Sequence, residues 1–395
     1  MSGLKNSLKN GRAWVEIDLD RLKENFRKVK GWIGPGLDVL VAVKADAYGH
    51  SSVAVSRALA EEGVSMLGVA SLEEAIEIKR GGAGVPVLIL SPSSFLEIPE
   101  IVAEGLRSTV SNMEYARRLS VLARAADREM RVHVEVDTGM GRTGVNHSSA
   151  ADFIRGVAGL EYVCVEGIFT HFANAEEPDR GFALEQLRRF NAALEDLRKG
   201  GPEIPLIHAA NSASLLGLKE SHFNMVRPGL IVYGMYPSEW VRRTIQVEPV
   251  MTFKARVAHL NRVRKGETVS YGRTWTARRD STVAVVSVGY GDGYSRALSN
   301  KGEVLIRGKR IKIVGVICMD LTMVDVTDHP EVRIGDEVVL MGRSGKEEIT
   351  ASELAALSET ISYDVTCSVG PRVPRVFIRQ GRPVEVKSLV GVEEL

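Results

Sequence analysis

Between residues 15 and 235, short apolar runs alternate with amphipathic stretches, and this pattern constrains the fold more than any other feature. Eight strands alternating with helices over about 200 residues predict an α/β fold, a (β/α)₈ TIM-type barrel. A doubly wound open sheet is the alternative, because a sequence does not show closure. The strand-like runs are Val39–Val43, Met66–Ala70, Val85–Leu90, Ser108–Ser111, Val132–Asp137, Tyr162–His171, Leu206–Asn211 and Met225–Gly234, and the clearest helical stretches are Ser51–Glu62, Leu72–Lys79, Met113–Arg128 and Ala183–Lys199.

The pattern changes after Pro237, where Val, Ile, Arg and Gly become frequent and helical stretches become rare. This texture predicts a separate β-rich C-terminal domain over residues 241–395, following a barrel over residues 1–240 that includes an N-terminal strand at Val15–Leu19. The C-terminal strand-like runs are Met251–Leu260, Thr282–Gly289, Glu303–Met319, Glu337–Leu340 and Pro374–Ile378, with one helix at Ala351–Ser358.

Composition excludes several classes of function. A chain of 395 residues suits two domains, and 44% hydrophobic with 26% charged residues is typical of a soluble protein. The net charge of +1 gives no electrostatic case for nucleic acid or acidic membranes. Cys164, Cys318 and Cys367 are too far apart for metal-ligand spacing, and no apolar run approaches ~18 residues. We therefore expect a cytoplasmic protein with no metal and no membrane segment.

Lys44 directly follows the first apolar run of the predicted barrel, which is an unusual place for a charge. A buried ammonium is costly unless it is paired or chemically used, and a lysine with a lowered pKa is the residue type that forms Schiff bases. Tyr48 and Gly49 follow at once, offering a hydroxyl and a close backbone approach. The alternative is a lysine that has reached the surface at a strand end.

Other unusual polar residues also lie where predicted strands end. Arg142 follows the fifth strand and His171 ends the sixth; Asn211 and Ser212 end the seventh, and Arg227 to Leu230 belong to the eighth. Singly, His171 and His208 are compatible with satisfied core histidines, and the arginines with surface groups. In a barrel, however, all these strand ends meet at one face, which favours a site there.

Gly139 to Gly144 match G-x-G-x-x-G, the pattern of a dinucleotide-binding loop when it follows a strand and opens a helix. Glu161 lies about 20 residues further on, as such sites require. Val145 to Ser149 separate this loop from the next helix, and the unit is the fifth of the series. A nicotinamide dehydrogenase built on this loop would also leave Lys44 unexplained.

Several motifs resemble those of the alanine racemase family, in order and over nearly the whole chain. They are Val43–His50, Val136–Gly144, Gly167–Phe172, Val269–Gly272, Gly289–Arg296, Cys318–Asp320 and Arg372–Phe377. The resemblance implies a barrel with a C-terminal β domain, pyridoxal 5′-phosphate as cofactor, and interconversion of L- and D-alanine to supply peptidoglycan. A racemase of broader substrate range and a non-catalytic pyridoxal-phosphate-binding protein are the rival interpretations.

By this resemblance, Lys44 would hold the cofactor through a Schiff base and act as the base on the D-face. Tyr271 would be the base on the L-face, assisted by a hydrogen-bonded chain through His171 to Arg227. Arg227 would face the pyridine nitrogen, and Arg142 the phenolic oxygen. The remaining implied contacts are Tyr48, Asn211, Ser212, Gly229, Leu230 and Tyr363 to the cofactor, Met319 and Asp320 to the substrate, and Tyr290 at the entrance. A homodimer with shared sites is implied, because Tyr271 and Met319 would reach the opposite subunit's barrel.

Glu135 departs from the family pattern, in which many members carry a carbamylated lysine at this position. A glutamate is already an anion at neutral pH, so Glu135 is predicted to be the charge partner of Arg142. On the alternating strand Val132–Asp137 it shares a face with His133 and Asp137. The alternative is an exposed glutamate on a strand.

Overall fold

The computed structural model describes residues 11–395, which divide into two compact units. The barrel unit comprises Leu22–Ala47 and Ser52–Glu248. The β-rich unit comprises the described part of Met1–Arg21, together with Tyr48–Ser51 and Pro249–Leu395. The first strand of the chain, β1 (Ala13–Asp18), belongs to the β-rich unit.

Eight parallel strands close the barrel unit, as the alternating pattern predicts. In the order β5-β4-β3-β2-β10-β9-β8-β6 each strand pairs with its neighbour, and β5 also pairs with β6, so the sheet has no open edge. This closure confirms the barrel and excludes the open sheet. The strands are β2 (Asp38–Ala42), β3 (Met66–Val69), β4 (Val87–Pro92), β5 (Arg107–Val110), β6 (Met130–Asp137), the short β7 (Val145–Asn146) beside β6, β8 (Val163–Phe169), β9 (Leu206–His208) and β10 (Met225–Val226).

The four helical stretches predicted for the barrel are confirmed, with ends that differ by at most three residues. Several begin with side-chain caps; for example, Ser71 Oγ accepts the Glu74 N–H, and Asn112 Oδ1 accepts the N–H groups of Glu114 and Tyr115. Within residues 11–395, no helix combines the length and apolar character needed to cross a bilayer. The helices are α1 (Leu19–Ile33), which begins in the β-rich unit, α2 (Ser52–Glu61), α3 (Leu72–Arg80), α4 (Ile98–Glu104), α5 (Met113–Ala125), α6 (Ala150–Ala158), α7 (Gly181–Arg198) and α8 (Ser212–Gly217).

Two predicted strands are much shorter than their apolar runs. The seventh ends at His208 rather than Asn211, and the eighth ends at Val226 rather than Gly234. Ala209 and Ala210 are buried outside a strand, and Leu230–Tyr233 form a buried 3₁₀ turn. The boundaries were wrong because apolar sequence reports burial, whichever backbone conformation delivers it.

The β-rich unit is built on one large sheet in the order β16-β15-β18-β11-β1-β20-β21-β22, with β14, β17 and β19 branching from it. β1 lies between β11, which is antiparallel to it, and β20, which is parallel. The N-terminal strand therefore belongs here and not with the barrel, because both its edges pair within this sheet. The elements are β11 (Met251–Val263), β12 (Thr268–Val269), β13 (Trp275–Thr276), β14 (Ser281–Val286), β15 (Glu303–Ile306), β16 (Lys309–Lys312), β17 (Thr322–Asp325), β18 (Glu337–Ser344), β19 (Glu347–Ile349), α9 (Ala351–Ser358), α10 (Ser362–Cys367), β20 (Arg375–Arg379), β21 (Arg382–Ser388) and β22 (Gly391–Glu394).

The interior of the barrel is packed rather than open. Leu40, Met66, Leu88 and Met225, from four different strands, form one buried cluster. Such a layer of side chains makes a barrel a solid core, so chemistry is confined to the loops and strand ends. The functional residues are therefore sought at the C-terminal ends of the strands.

Candidate active site

Lys44 begins a left-handed turn, Lys44–Tyr48, two residues after β2 ends. Ala45, Asp46, Ala47 and Tyr48 have φ angles of 53°, 51°, 55° and 55°. Residues with a Cβ adopt this conformation at a cost of roughly 1–2 kcal/mol each. A run of such residues persists only where the surroundings hold it in place.

Two carboxylates hold this turn within the barrel unit. Glu74 accepts the Ala45 N–H at 2.6 Å and the Ala70 N–H at 2.7 Å, and Asp46 Oδ1 accepts the Ser52 N–H at 2.8 Å. This role of Glu74 was not predicted from the sequence. Its signal was the S-x-x-E spacing of a capping box, but Glu74 uses its carboxylate on the lysine turn instead.

In the β-rich unit, Tyr48 packs against Tyr363 with ring centroids 5.8 Å apart. Burial raises the pKa of Tyr48, which therefore keeps its hydroxyl proton. The next residue, Gly49, has φ 83°, and a Cβ there would lie 2.1 Å from the Thr366 carbonyl oxygen. Only glycine fits this approach, so Tyr48 and Tyr363 are placed together by a close backbone contact.

Arg227 is buried and commits both terminal nitrogens to the barrel. Nη1 donates to His208 Nδ1 at 3.0 Å and to the His208 carbonyl at 2.8 Å. Nη2 donates to the carbonyls of Thr170 and Ala209 and lies 3.3 Å from His171 Nδ1. Within residues 11–395 the Nε–H of Arg227 has no acceptor. This guanidinium therefore keeps one donor for a further group.

His171 stands among three cations of the barrel unit. Burial, together with the charges of Arg227, Arg142 and Lys44, lowers the pKa of His171 to about 3. The imidazole is therefore neutral at pH 7. Because arginine only donates, Nδ1 of His171 is the acceptor and the proton is on Nε2. The structure thus brings together Lys44, Arg142, His171 and Arg227 electrostatically, from four separate segments.

The segment after β9 gives its polar residues structural contacts of their own. Asn211 caps α8, its Oδ1 accepting the N–H groups of Ala213 and Ser214. Ser212 Oγ accepts the N–H of Gly229 at 3.0 Å. The Ser212 hydroxyl hydrogen is thereby left to donate to another acceptor. Leu230 begins the 3₁₀ turn, where the first N–H groups lack intrahelical acceptors.

Glu135 is buried, at 3% exposure, which rules out the exposed-strand alternative. Its Oε2 accepts the Thr143 hydroxyl at 2.5 Å, and its charge raises the pKa of Arg227 against the lowering effect of burial. Arg142 is exposed, and across the described chain no ion pair joins it to Glu135. The pairing of Glu135 with Arg142 stays a prediction.

In the β-rich unit, Tyr271, Met319 and Asp320 line one groove of about 1070 Å³. Tyr271 is 70% exposed. Asp320 forms an ion pair with Arg372 at 2.8 Å, a contact that the sequence did not indicate. Tyr290 lines a different cavity of about 350 Å³.

The glycine-rich loop after β6 is an isolated turn. Asp137 Oδ1 accepts the N–H groups of Gly139 and Gly141, and α6 begins only at Ala150. No helix opens at the loop, so a dinucleotide site of the expected form is excluded. Within residues 11–395 no group of three or more His, Cys, Asp or Glu side chains could hold a metal ion.

Together these observations define a class of protein. A lysine at a barrel strand end, two arginines and a spare guanidinium N–H suit an anionic, phosphorylated cofactor that carries a carbonyl and a further acceptor. Pyridoxal phosphate has this chemistry, and Lys44, Ser212, Arg142 and Arg227 would hold it. The site is that of a barrel enzyme dependent on pyridoxal phosphate.

Comparison with known proteins identifies the family. The model for the alanine racemase N-terminal domain matches residues 17–237, and that for the alanine racemase C-terminal domain matches residues 250–377. The chain belongs to the alanine racemase family, isomerases that interconvert L- and D-alanine with pyridoxal phosphate.

Individual relatives agree over almost the full length. The alanine racemase 2 of Caldanaerobacter subterraneus is 40% identical, covering 96% of this chain and 98% of its own. The structure of the Bacillus anthracis alanine racemase with bound L-Ala-P has a TM-score of 0.91 at 35% identity, covering 96% and 98% of the two chains. That of Bartonella henselae, with covalently bound pyridoxal phosphate, has a TM-score of 0.84 at 27% identity, covering 93% and 100%.

Proposed function

We propose that this chain racemises alanine with two bases, Lys44 on one face of the substrate and Tyr271 on the other, in the cytoplasm and as a source of D-alanine for peptidoglycan. Racemisation requires one face to lose a proton while the other gains one. The observation that carries the proposal is the clustering of Lys44, Arg142 and Arg227 about a neutral His171. Family membership and the L-Ala-P bound to the Bacillus anthracis relative support alanine as the substrate.

The residues divide the work between charge and proton transfer. Bound pyridoxal phosphate would supply an electron-withdrawing ring that acidifies the substrate's α-hydrogen. Lys44 would move the proton on the D-face. His171, neutral and protonated on Nε2, would donate a hydrogen bond to the oxygen of Tyr271 and so help a phenol to act as a base near neutrality. Arg227, with a pKa of about 10, stays charged at pH 7.

Arg227 would use its Nε–H on the cofactor's ring nitrogen. Because arginine does not give up its proton under these conditions, that nitrogen would stay unprotonated and the ring would be a weaker electron sink. A weaker sink limits side reactions, which suits an enzyme whose only task is proton exchange. The buried contacts of Nη1 and Nη2 support this assignment, because they fix the plane of the guanidinium.

We further propose a homodimer in which Tyr271 and Met319 serve the barrel of the partner subunit. Lys44→Ala and Tyr271→Phe homodimers should both lose nearly all racemase activity, whereas mixing them should restore activity in hybrids that contain one intact site. The exposure of Tyr271 supports the proposal, because a tyrosine that acts as a base is expected to face a binding site, and its own chain leaves this side chain largely uncovered. Light scattering and mass spectrometry of differently tagged subunits would verify dimerisation and exchange. Confirmed exchange without recovered activity would contradict shared sites.

Glu135→Gln is expected to weaken cofactor binding by about 1–3 kcal/mol, as removing the charge from a buried, hydrogen-bonded partner does. The shape of the side chain and the contact with Thr143 are preserved, so the loss would report the missing charge that acts on Arg227 and, in this proposal, on Arg142. The dissociation constant is measured by titrating cofactor-free protein with pyridoxal phosphate. Thr143→Val is the matched control, since it removes the hydrogen bond and keeps the charge.

Activity should not respond to bicarbonate depletion, because Glu135 carries its charge without carbamylation. An unchanged affinity and turnover in Glu135→Gln would make Glu135 an ordinary strand residue.

A further inference from the structure

A chain of buried side chains runs through the barrel from Arg227 to Glu166. His208 Nδ1 lies 3.0 Å from Arg227 Nη1, and His208 Nε2 lies 2.8 Å from His133 Nδ1. His133 Nε2 lies 3.3 Å from Glu166 Oε2. Both histidines have no exposed surface, Arg227 is 6% exposed and Glu166 is 7% exposed. The chain therefore joins four polar groups that water does not reach freely.

Hydrogen-bond chemistry fixes the protons along this chain. Arginine can only donate, so Nδ1 of His208 must accept and its proton must be on Nε2. That proton is donated to Nδ1 of His133, whose own proton is then on Nε2 and is donated to Glu166. Burial lowers the pKa of both histidines, so both rings are neutral. Only one pair of tautomers satisfies every contact, and all the bonds point from Arg227 to the carboxylate.

The carboxylate at the end of the chain is held firmly. Arg107 donates to both oxygens of Glu166, at 2.5 and 3.0 Å, and Arg131 donates to Oε1 at 2.9 Å. Burial alone would raise the pKa of Glu166, but the hydrogen bonds from His133, Arg107 and Arg131 hold it well below the ordinary range. Arg107 and Arg131 lie at the beginnings of β5 and β6, so Glu166 is anchored at the strand ends opposite the catalytic face.

The backbone beside His133 leaves room for its ring in this series of hydrogen bonds. A Cβ on Gly167 would lie 2.3 Å from His133 Nδ1, the atom that accepts from His208. The pairing of β6 with β8 also shifts register between Val132 and His133. Glycine at position 167 is therefore needed to leave room for the His133 ring.

We propose that Glu166 is a positioning residue for Arg227, acting through the fixed tautomers of His133 and His208. An anion at the far end polarises both imidazoles and makes His208 Nδ1 a stronger acceptor for the guanidinium. Of the acceptors of Arg227 Nη1, this nitrogen is the one set by side-chain chemistry rather than by the backbone. The assignment of the cofactor's ring nitrogen as the group that Arg227 faces rests on the proposed function. The hydrogen bonds from Arg227 to Glu166 do not depend on it.

Nitrogen NMR of the purified enzyme labelled at histidine, with and without cofactor, tests the first step. In the wild type, His133 and His208 should both be neutral and protonated on Nε2 near pH 7, with assignments from single histidine substitutions. An imidazolium, or a proton on Nδ1 of His208, would overturn the proposal. This readout does not depend on racemisation, so it would stand even if the proposed function failed.

Two variants test the consequence. Glu166→Gln removes the charge, and Gly167→Ala displaces the His133 ring without removing a polar group. Each should change the His208 Nδ1 resonance and the pH dependence of the cofactor's visible absorbance. Each should also lower kcat on the order of 10²-fold, the cost of slight misplacement at a reacting centre, with little change in KM.

Glu62→Gln is the matched control. Arg27 donates two hydrogen bonds to Glu62, of 2.7 and 2.6 Å, in the same unit, but Glu62 is not one of the hydrogen-bonded residues between Arg227 and Glu166. Glu62→Gln should leave the histidine resonances and kcat unchanged. If either Glu166→Gln or Gly167→Ala does not fold, the other variant decides. Folded variants at these two positions with unchanged His208 resonances and unchanged kcat would refute the positioning role.

Discussion

Lys44→Ala is expected to abolish racemisation in both directions while the barrel stays folded. The fall should be at least about 10⁴-fold, the upper range for one general base, because the covalent hold on the cofactor is lost as well. The backbone of the turn that carries Lys44 is held by the carboxylates of Glu74 and Asp46, which the substitution leaves in place, so folding should survive. Initial rates from L- and D-alanine, with circular dichroism to verify the fold, measure the effect.

Borohydride reduction of the wild-type enzyme provides the companion measurement. Mass mapping should find the pyridoxyl group on Lys44 alone. Lys199→Ala, which changes an exposed lysine after α7, should leave both the adduct and the rates intact. An adduct mapped to a different lysine would show that the assignment of Lys44 is incorrect.

Tyr271→Phe is expected to slow racemisation by roughly 10²–10⁴-fold, the contribution of one general base. The change removes a single hydroxyl from a side chain that is 70% exposed within its own chain, so stability should hardly change. The effect should be one-sided. Lys44 should still exchange the α-proton of D-alanine with solvent, whereas exchange from L-alanine should fall.

Deuterium incorporation from heavy water, followed separately for each enantiomer, distinguishes the two faces. Arg273→Lys is a suitable control, because it alters the same 3₁₀ turn and keeps the phenol. Equal exchange rates from L- and D-alanine in Tyr271→Phe would rule out the two-base assignment.

The sequence predicted the barrel well because its first three strands, β2, β3 and β4, lie in continuous apolar runs with amphipathic helices between them. The predicted strand was wrong where buried residues do not adopt strand conformation, as in the 3₁₀ turn Leu230–Tyr233. The left-handed turn was invisible, since Ala45 and Ala47 carry no signal for positive φ. The sequence also does not show that the carboxylate of Glu74, which is distant along the chain, holds the backbone of this turn.

The predicted site residues of the barrel were selected from their position at strand ends, but the side chains that contact them were not predicted. His208 was noticed as a histidine on a strand, but its bonds to His133 and Arg227 depend on the register among β6, β9 and β10. Register is a property of the closed barrel, and no single run of residues encodes it. Glu166 was not predicted for the same reason, because its neighbours in the sequence do not indicate that it contacts His133 and two arginines.

The position of β1 bears on how this molecule is synthesised and how it can be dissected. β1 is an inner strand of the large sheet, and its partners β11 and β20 come more than two hundred residues later. On the ribosome, β1 must wait with both hydrogen-bonding edges unsatisfied while the whole barrel is made, which is a hazard for pairing with other chains. A fragment starting at Pro249 would lack this strand and should be unstable alone. A circular permutant that places residues 11–21 after the C-terminal strands, or a fragment supplied with β1 as a peptide, should restore the sheet.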